Sequence, residues 1–142
     1  MEPIIYCADV IAFAPYSDDH YIIIERLGSV KGFALPGGKQ EPGEYLQDTA
    51  YREFFEETGL YLQHARTFIT CAEHKRDYRP GHYVTTVFTG CGYGRIRAEH
   101  EKTHIHLLTK ETIIDLKEAF VFDHFNILMR FFETRKGYHP AP

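Results

Sequence analysis

Residues 44–58 form the segment that constrains the fold most. Apolar side chains recur there at helical spacing, and Gly59 follows as the expected end of a helix. The preceding stretch, Gly28 to Gly43, holds five glycines and two prolines. Such a density interrupts regular structure and lets the backbone approach a ligand closely. The sequence therefore predicts a glycine-rich loop that leads into an amphipathic helix.

The regions around this helix indicate a sheet and further helices. Runs rich in Ile, Val, Tyr, Phe and Thr predict strands over residues 3–14, 20–27, 65–74, 82–91 and 104–109. The first two strands are separated by a polar break, which predicts a hairpin. Helices are predicted over 110–117 and over 123–136, where Asp123 is the expected N-cap. Strands and helices alternate without a repeat, which predicts an α/β (α+β) layered domain.

Length and charge limit the classes of function. The chain has 142 residues, with 16 Lys and Arg against 20 Asp and Glu, and a formal net charge of −4. The length predicts a single domain over residues 1–142. A slightly acidic chain is not expected to form a stable nucleic-acid complex, because such binding depends on Lys and Arg that neutralise phosphates. If the protein binds a polyanionic ligand, it must do so through a local group of basic side chains or through a bound cation.

Cysteine usage and the first residues suggest a compartment. The cysteines Cys7, Cys71 and Cys91 are odd in number and form no CxxC pair, which argues against a disulfide framework or a cysteine zinc site. We expect them in strands of a protein from a reducing compartment. The N-terminal segment lacks a basic start, and Asp9 interrupts its apolar run. Neither a signal peptide nor a membrane segment is indicated, so we expect a cytoplasmic protein.

Three glutamates share one face of the predicted helix. At about 100° per residue, Glu56, Glu53 and Glu57 lie about 40°, 100° and 140° from Arg52. Like charges at this spacing repel, and acidic groups near a helix C-terminus oppose the helix dipole. Hard oxygen donors of this kind suit Mg²⁺, or Mn²⁺ as a substitute. The alternative is an acidic, solvated helix face without a ligand.

The spacing to the preceding loop distinguishes these alternatives. From Gly38 the sequence reads GKQEPGEYLQDTAYREFFEETGL, and it resembles the signature of the Nudix hydrolases, GX5EX7REUXEEXGU, where U is a bulky apolar residue. All seven fixed letters are present. The only departure is Phe54, which is aromatic where the family usually has an aliphatic residue, and we expect it to pack in the core. The resemblance implies the Nudix fold, a mixed β-sheet between α-helices.

The resemblance also implies an activity and roles for residues. Nudix hydrolases cleave a nucleoside diphosphate linked to another moiety. Glu53, Glu56 and Glu57 correspond to the ligands of the divalent metal, and the backbone carbonyl of Gly38 is a further donor. Arg52 corresponds to the residue that orients these carboxylates. Support of the loop–helix junction is expected from two residues, Glu44 and Gly37.

The group that accepts a proton from the attacking water is left open. Divalent ions neutralise diphosphate charge and make a bound water nucleophilic. A glutamate of the signature, Glu53 or Glu57, is one source of the base. A later loop offers Glu101 and Glu99, which are otherwise ordinary solvated side chains.

The segment that follows the third predicted strand is the candidate for substrate selection. Arginine forks suit phosphate, and a tyrosine ring can stack on a base. The candidates are Arg76, Tyr78, Arg79 and His82. The run RDYRPGHYVTTVF and the closing AFVFDHFNIL resemble segments of ADP-ribose pyrophosphatase-like Nudix proteins. The alternative is a basic loop that only solvates the protein.

Other substrates and another class of function remain open. The proline expected 16 residues after the signature is replaced by Arg76, and Tyr78 lies near the position of a tyrosine in diadenosine polyphosphate hydrolases. A (d)NTP or dinucleoside polyphosphate pyrophosphohydrolase is therefore the second hypothesis. A non-catalytic Nudix-fold ligand sensor is the third. By analogy with the family, a homodimer is expected.

Overall fold

The structure, a computed structural model, describes residues 3–73, 81–97 and 102–135. Its elements in chain order are β1 (Ile4–Phe13), β2 (His20–Arg26), β3 (Gly32–Ala34), β4 (Gly37–Lys39), α1 (Leu46–Thr58), β5 (Tyr61–Ala72), β6 (His82–Tyr93), β7 (Thr103–Thr109), α2 (Lys110–Asp115) and α3 (His124–Arg135). A 3₁₀ turn, Lys117–Ala119, lies between α2 and α3. The part of the chain that is described contains no helix long and apolar enough to cross a bilayer.

Strand β1 lies at the centre of a mixed seven-stranded sheet. It runs parallel to β6 over its whole length, from the Ile4–His82 pair to the Phe13–Cys91 pair. Its other edge is shared, because β4 pairs with it antiparallel and β2 meets it at Phe13. Strand β2 also pairs with β3 and β7, and β5 pairs with β6. The predicted hairpin of the first two strands is thus confirmed only near its turn.

The two faces of the sheet are covered by different helices. Alternate residues of β1 point to opposite faces, and Val10 packs with Phe54 of α1 while Ile11 packs with Leu128 of α3. Phe54 is fully buried, as predicted. The sheet therefore lies between α1 on one face and α2 and α3 on the other, which confirms the predicted fold class.

Local signals explain the boundaries of α1. The side chain of Asp48 accepts a hydrogen bond from the backbone N–H of Tyr45 at 2.9 Å, so the helix begins after Tyr45 rather than at residue 44. At the other end Gly59 adopts the left-handed conformation with φ 79°, as the sequence predicted. A Cβ there would lie 2.8 Å from the backbone nitrogen of Arg97, so this position requires glycine for its space as well.

Two predictions of secondary structure differ from the structure. The glycine-rich stretch was expected to be a loop, but it contains β3 and β4. Each has only three residues, which is too short for a recognisable apolar pattern, and β4 pairs with β1, about 30 residues earlier in the chain. Strand β5 begins at Tyr61 rather than at residue 65, and its register shifts after Gln63. The prediction therefore omitted residues 61–64, the part of β5 before the irregular pairing.

Candidate active site

Helix α1 presents the acidic residues of the signature in three different environments. Its apolar side packs on the sheet, and away from that side Glu53 and Glu57 lie against β4, while Glu56 lies near Arg52. The side chain of Glu53 is 19% exposed, whereas that of Glu56 is 55% exposed. Glu57 is partly buried. The carboxylates therefore differ in solvation although they share one face.

The backbone of β4 lies directly against two of these carboxylates. The N–H of Gly37 donates a hydrogen bond to Oε1 of Glu57 at 2.8 Å. A Cβ on Gly38 would lie 2.5 Å from Cδ of Glu53, so only glycine leaves room for that carboxylate. The close approach that the glycines predicted is therefore an approach to the acidic side chains of α1.

Arg52 connects the loop to the helix. Its Nε donates to Oε2 of Glu44 at 2.6 Å, and Nη1 donates to Oε1 of Glu53 at 2.9 Å. Nη2 donates to the backbone carbonyl of Lys39 at 3.0 Å, and Nη1 lies 3.3 Å from Oε2 of Glu56. A planar guanidinium with several donors can hold all these oxygens at once. These contacts suit the orienting role implied for Arg52, and that role stays a prediction.

Glu44 is held by three donors. Its carboxylate accepts from Arg52, from Oγ1 of Thr49 at 2.9 Å and from the backbone N–H of Glu41 at 2.9 Å. The hydrogen bond from Arg52 is the main reason that the pKa of Glu44 falls to about 2. An ionised Glu44 thus joins the end of the glycine-rich segment to the first half of α1, where the resemblance implied structural support.

Burial makes the charged form of two carboxyls unfavourable. The pKa of Glu57 rises to about 8, mainly because burial desolvates the carboxyl; the charges of Glu53 and Asp9 add to the rise, and the hydrogen bond from Gly37 opposes it. Desolvation also raises the pKa of Glu53, against the hydrogen bond from Arg52. A divalent cation beside these groups would favour their ionised forms.

The donor set fits a divalent metal of the Mg²⁺ type. The carboxylates of Glu53 and Glu57 lie beside the backbone of Gly38 and Gly37, and such oxygens are hard donors. In the described ranges no three Asp, Glu, His or Cys side chains form a ready-made metal group. Mg²⁺ binds through one or two carboxylates and keeps several waters, so these two carboxylates would suffice to hold it.

A pocket beside Glu57 contains residues that the sequence did not single out. It is lined by Gly37, Gly38 and Glu57 on one side and by Asp9, Arg26, Phe122 and His124 on the other. The guanidinium of Arg26 lies 5.2 Å from the centre of the Phe122 ring, and its charge lowers the pKa of Glu57. Arg26 is the last residue of β2, just before the glycine-rich segment. That position is the only feature of the sequence that could have pointed to Arg26.

The predicted substrate residues are only partly described. His82 is the first residue of β6 and lies beside Ile4 of β1. Arg76, Tyr78, Arg79, Glu99 and Glu101 lie outside the described residues. Their predicted roles in substrate binding and proton transfer therefore stay predictions.

Several solved structures share the fold of this chain. In solved structures, the NUDIX domain of Shewanella oneidensis NrtR complexed with ADP ribose is 18% identical, with a TM-score of 0.78 and coverage of 94% of this chain and 90% of that one. A bifunctional NMN adenylyltransferase/ADP ribose pyrophosphatase from Francisella tularensis, complexed with AMP and a Mn ion, is 19% identical, with a TM-score of 0.74 and coverage of 94% and 42%. A MutT protein from Methanosarcina mazei is 18% identical, with a TM-score of 0.72 and coverage of 96% and 97%.

A comparison of the sequence with known protein families identifies the family of this chain. The NUDIX domain family matches residues 6–131, which is most of the chain. The match confirms the resemblance inferred from residues 38–60 and the predicted enzyme class, a Nudix pyrophosphohydrolase. The chain belongs to the Nudix family.

Proposed function

We propose that this protein hydrolyses the diphosphate bond of a nucleoside diphosphate linked to another moiety, in a reaction that depends on Mg²⁺. The products are a nucleoside monophosphate and the phosphorylated second moiety. One observation carries the proposal: two carboxylates of this helix face, those of Glu53 and Glu57, lie directly against the backbone of Gly38 and Gly37. An acidic face that merely solvates a helix needs no such contacts.

The residues of this chain prepare the site for the metal and the water. A bound divalent ion supplies charge neutralisation for the diphosphate and lowers the pKa of water. Glu53, Glu56, Glu57 and the carbonyl of Gly38 would hold it. Arg52 keeps Glu53 oriented through its 2.9 Å hydrogen bond. The proton of the attacking water would go to a glutamate of the signature, Glu53 or Glu57, or to one of the later loop, Glu101 or Glu99.

ADP-ribose or a nucleotide sugar is the substrate class that we favour. Two structural neighbours are described with ADP ribose or as an ADP ribose pyrophosphatase. Arg26 places a cation in the pocket next to Glu57, where a phosphate oxygen beyond the metal would need one. We further propose that Arg76, Tyr78, Arg79 and His82 contact the nucleotide.

The cellular setting is part of the proposal. The three cysteines are free thiols in β1, β5 and β6, which supports a reducing compartment such as the cytoplasm. The single domain over residues 1–142 and the homodimer stay predictions.

A substrate panel tests the proposed activity. Purified protein is incubated with ADP-ribose, nucleotide sugars, diadenosine polyphosphates and (d)NTPs, each with Mg²⁺, Mn²⁺ or a chelator, and the products are separated. We expect a monophosphate and a phosphorylated sugar from the first two classes, and no turnover with the chelator. Pyrophosphate released from (d)NTPs would support the second hypothesis instead.

Variants test the assignment of the glutamates. Glu57→Gln and Glu53→Gln keep size and remove charge, so we expect kcat to fall by about 100- to 1,000-fold, as when a group that stabilises transition-state charge is lost. Glu118→Gln, an exposed change between α2 and α3, is the matched control and should retain full activity. Wild-type turnover in both site variants would contradict the assignment.

The third hypothesis, a non-catalytic ligand sensor, also stays a candidate, because one neighbour is the NUDIX domain of NrtR with ADP ribose bound. A sensor would bind ADP-ribose in a calorimeter but release no product at saturating Mg²⁺ and Mn²⁺. The same panel therefore distinguishes the two functions.

A further inference from the structure

A buried polar cluster lies behind the acidic helix. It consists of Asp9 on β1, Thr85 on β6 and His124 at the start of α3, and we call it the Asp9–His124 cluster. Asp9 is 7% exposed and His124 is 6% exposed. Polar groups buried this deeply are hydrogen-bonded in native proteins. A buried network of such groups holds the segments that it connects in fixed positions. None of the three residues belongs to the Nudix signature.

The hydrogen bond from Leu35 to His124 defines the tautomer of the ring. The backbone N–H of Leu35 donates to Nδ1 at 2.9 Å, so Nδ1 carries no proton. The proton is therefore on Nε2, which lies 3.4 Å from Oδ2 of Asp9. The same Asp9 oxygen accepts from Oγ1 of Thr85 at 2.5 Å. The ring thus bridges the central strand and the segment between β3 and β4.

That segment leads directly to the acidic site. Leu35 precedes Gly37 by two residues, and the carbonyl of Pro36 accepts from the N–H of Val10 on β1 at 2.9 Å. Gly37 packs so closely on β1 that a Cβ would overlap Oδ1 of Asp9 and the carbonyl of Ala8. The N–H of Gly37 then donates to Oε1 of Glu57.

We propose that His124 and Asp9 are positioning residues that hold Leu35–Gly38 where the Gly37 N–H fixes the Glu57 carboxylate for metal binding. Residue His124 of α3 would thereby influence the geometry of carboxylates on α1, the helix on the opposite face of the sheet. The proposal rests on the proposed function only in treating Glu57 as a metal ligand. Groups that orient metal ligands matter in this way, and their loss commonly weakens metal affinity by about 10- to 100-fold.

Two substitutions of His124 separate its contacts with Leu35 and Asp9. The Asn side chain places an acceptor near the position of Nδ1, so His124→Asn keeps the hydrogen bond from Leu35. The Gln side chain places a donor near Nε2, so His124→Gln keeps the polar contact with Asp9 and loses the hydrogen bond from Leu35. We expect the Kd for Mn²⁺, measured by calorimetry, to rise by about tenfold in His124→Gln and to stay within about threefold of wild type in His124→Asn.

Phe132→Leu is the control for stability. Phe132 is buried on the same helix and packs on Tyr21, away from Leu35, so its loss should lower the melting temperature without changing the Kd for Mn²⁺. Asp9→Asn gives a second test that keeps the size of the side chain. The amide oxygen can still face Thr85 and His124, but an NH₂ group then takes the place of Oδ1, which lies against Gly37. We therefore expect the same direction as in His124→Gln.

Amide hydrogen exchange gives a readout that needs no metal. In metal-free protein, the Gly37 N–H should exchange about tenfold faster in His124→Gln than in wild type, relative to core amides of β1 that report global stability. Phe132→Leu should leave that ratio unchanged. If wild type binds no Mn²⁺, the proposed function fails, but the exchange ratio still decides the positioning role. An unchanged ratio for Gly37 in both His124→Gln and Asp9→Asn would overturn it.

Discussion

Glu57 is the residue whose chemistry depends most on its surroundings. Burial raises its pKa to about 8, while the N–H of Gly37 favours the ionised form only in part. At pH 7 the metal-free protein therefore holds this carboxyl mostly protonated. A cation that binds there must displace a proton, because the ionised carboxylate is the ligand.

Metal affinity should consequently depend on pH. Below about pH 8, each Mg²⁺ or Mn²⁺ bound should release close to one proton from Glu57, and affinity should rise by about tenfold per pH unit. Calorimetry in two buffers of different ionisation enthalpy counts the proton directly. Glu57→Gln is the control, since it should remove the proton release along with much of the affinity. An affinity that is constant between pH 6 and pH 8 would contradict the assignment.

The sequence predicts which carboxylates share a face but not how each one is solvated. Helical periodicity places Glu53, Glu56 and Glu57 together with Arg52 beside them, and the structure agrees. Periodicity cannot tell that Glu56 stays largely exposed while Glu57 receives a backbone hydrogen bond. That difference comes from Gly37, 20 residues earlier in the chain. His124 and Asp9 were missed for the same reason, since their contacts are non-local.

At the scale of the element, the C-terminal end of α1 carries the unfavourable sign of charge. Its last turn holds acidic but no basic residues, so its own sequence opposes the helix dipole. Arg97, from the loop after β6, compensates. Its Nη1 donates to the carbonyl of Glu56 at 2.8 Å, and its guanidinium lies 5.2 Å from the centre of the Phe55 ring. A cation from elsewhere in the chain therefore stabilises the end of the acidic helix.

Removal of this cation should weaken the helix end. Arg97→Ala loses a charge at the C-terminus of α1 and a contact with an aromatic ring, each of which contributes up to about 1 kcal/mol at exposed sites. We expect the free energy of unfolding to fall by about 1 kcal/mol in urea titrations. Arg95→Ala, an exposed change on the same loop, is the control and should have little effect. Equal losses in both variants would mean that loop charge in general, rather than the cap, stabilises the protein.

Long elements were predictable because they carry their own pattern. Helix α1, β7 and α3 lie within a residue or two of their predicted bounds. The short strands β3 and β4 were not predictable, because each has only three residues and glycines interrupt any apolar pattern, and because β4 pairs with the distant β1. Strand β4 carries Gly37 and Gly38, whose backbone lies against Glu57 and Glu53. An element that the sequence did not predict therefore forms part of the candidate site.

At the scale of the molecule, the negative charge is concentrated in one place. Six acidic and two basic side chains between residues 38 and 60 account for the whole net charge of −4, and the rest of the chain is balanced. Folding brings these acidic groups together, and repulsion among them opposes the folded state. The stability of the whole protein should therefore respond to what occupies the site.

The pKa of Glu57 gives this response a definite sign. The carboxyl has a pKa near 4.5 when unfolded and about 8 when folded, so the folded state keeps a proton that the unfolded state releases between these values. The free energy of unfolding of metal-free protein should fall as pH rises through that window. The Glu57 contribution is fully present below about pH 4.5 and is lost by about pH 8.

Bound metal should reverse this loss. A ligand at 100 times its Kd stabilises the folded state by about 2.7 kcal/mol, which for a chain of this size raises the melting temperature by about 10 °C. We expect Mg²⁺ or Mn²⁺ to produce such a shift at pH 8 and a smaller one at pH 6, where protons compete for Glu57. NaCl at matched ionic strength is the control for screening. If NaCl reproduces the shift, or if Glu57→Gln keeps it, the acidic face is only a solvated surface and the metal site assigned to α1 is wrong.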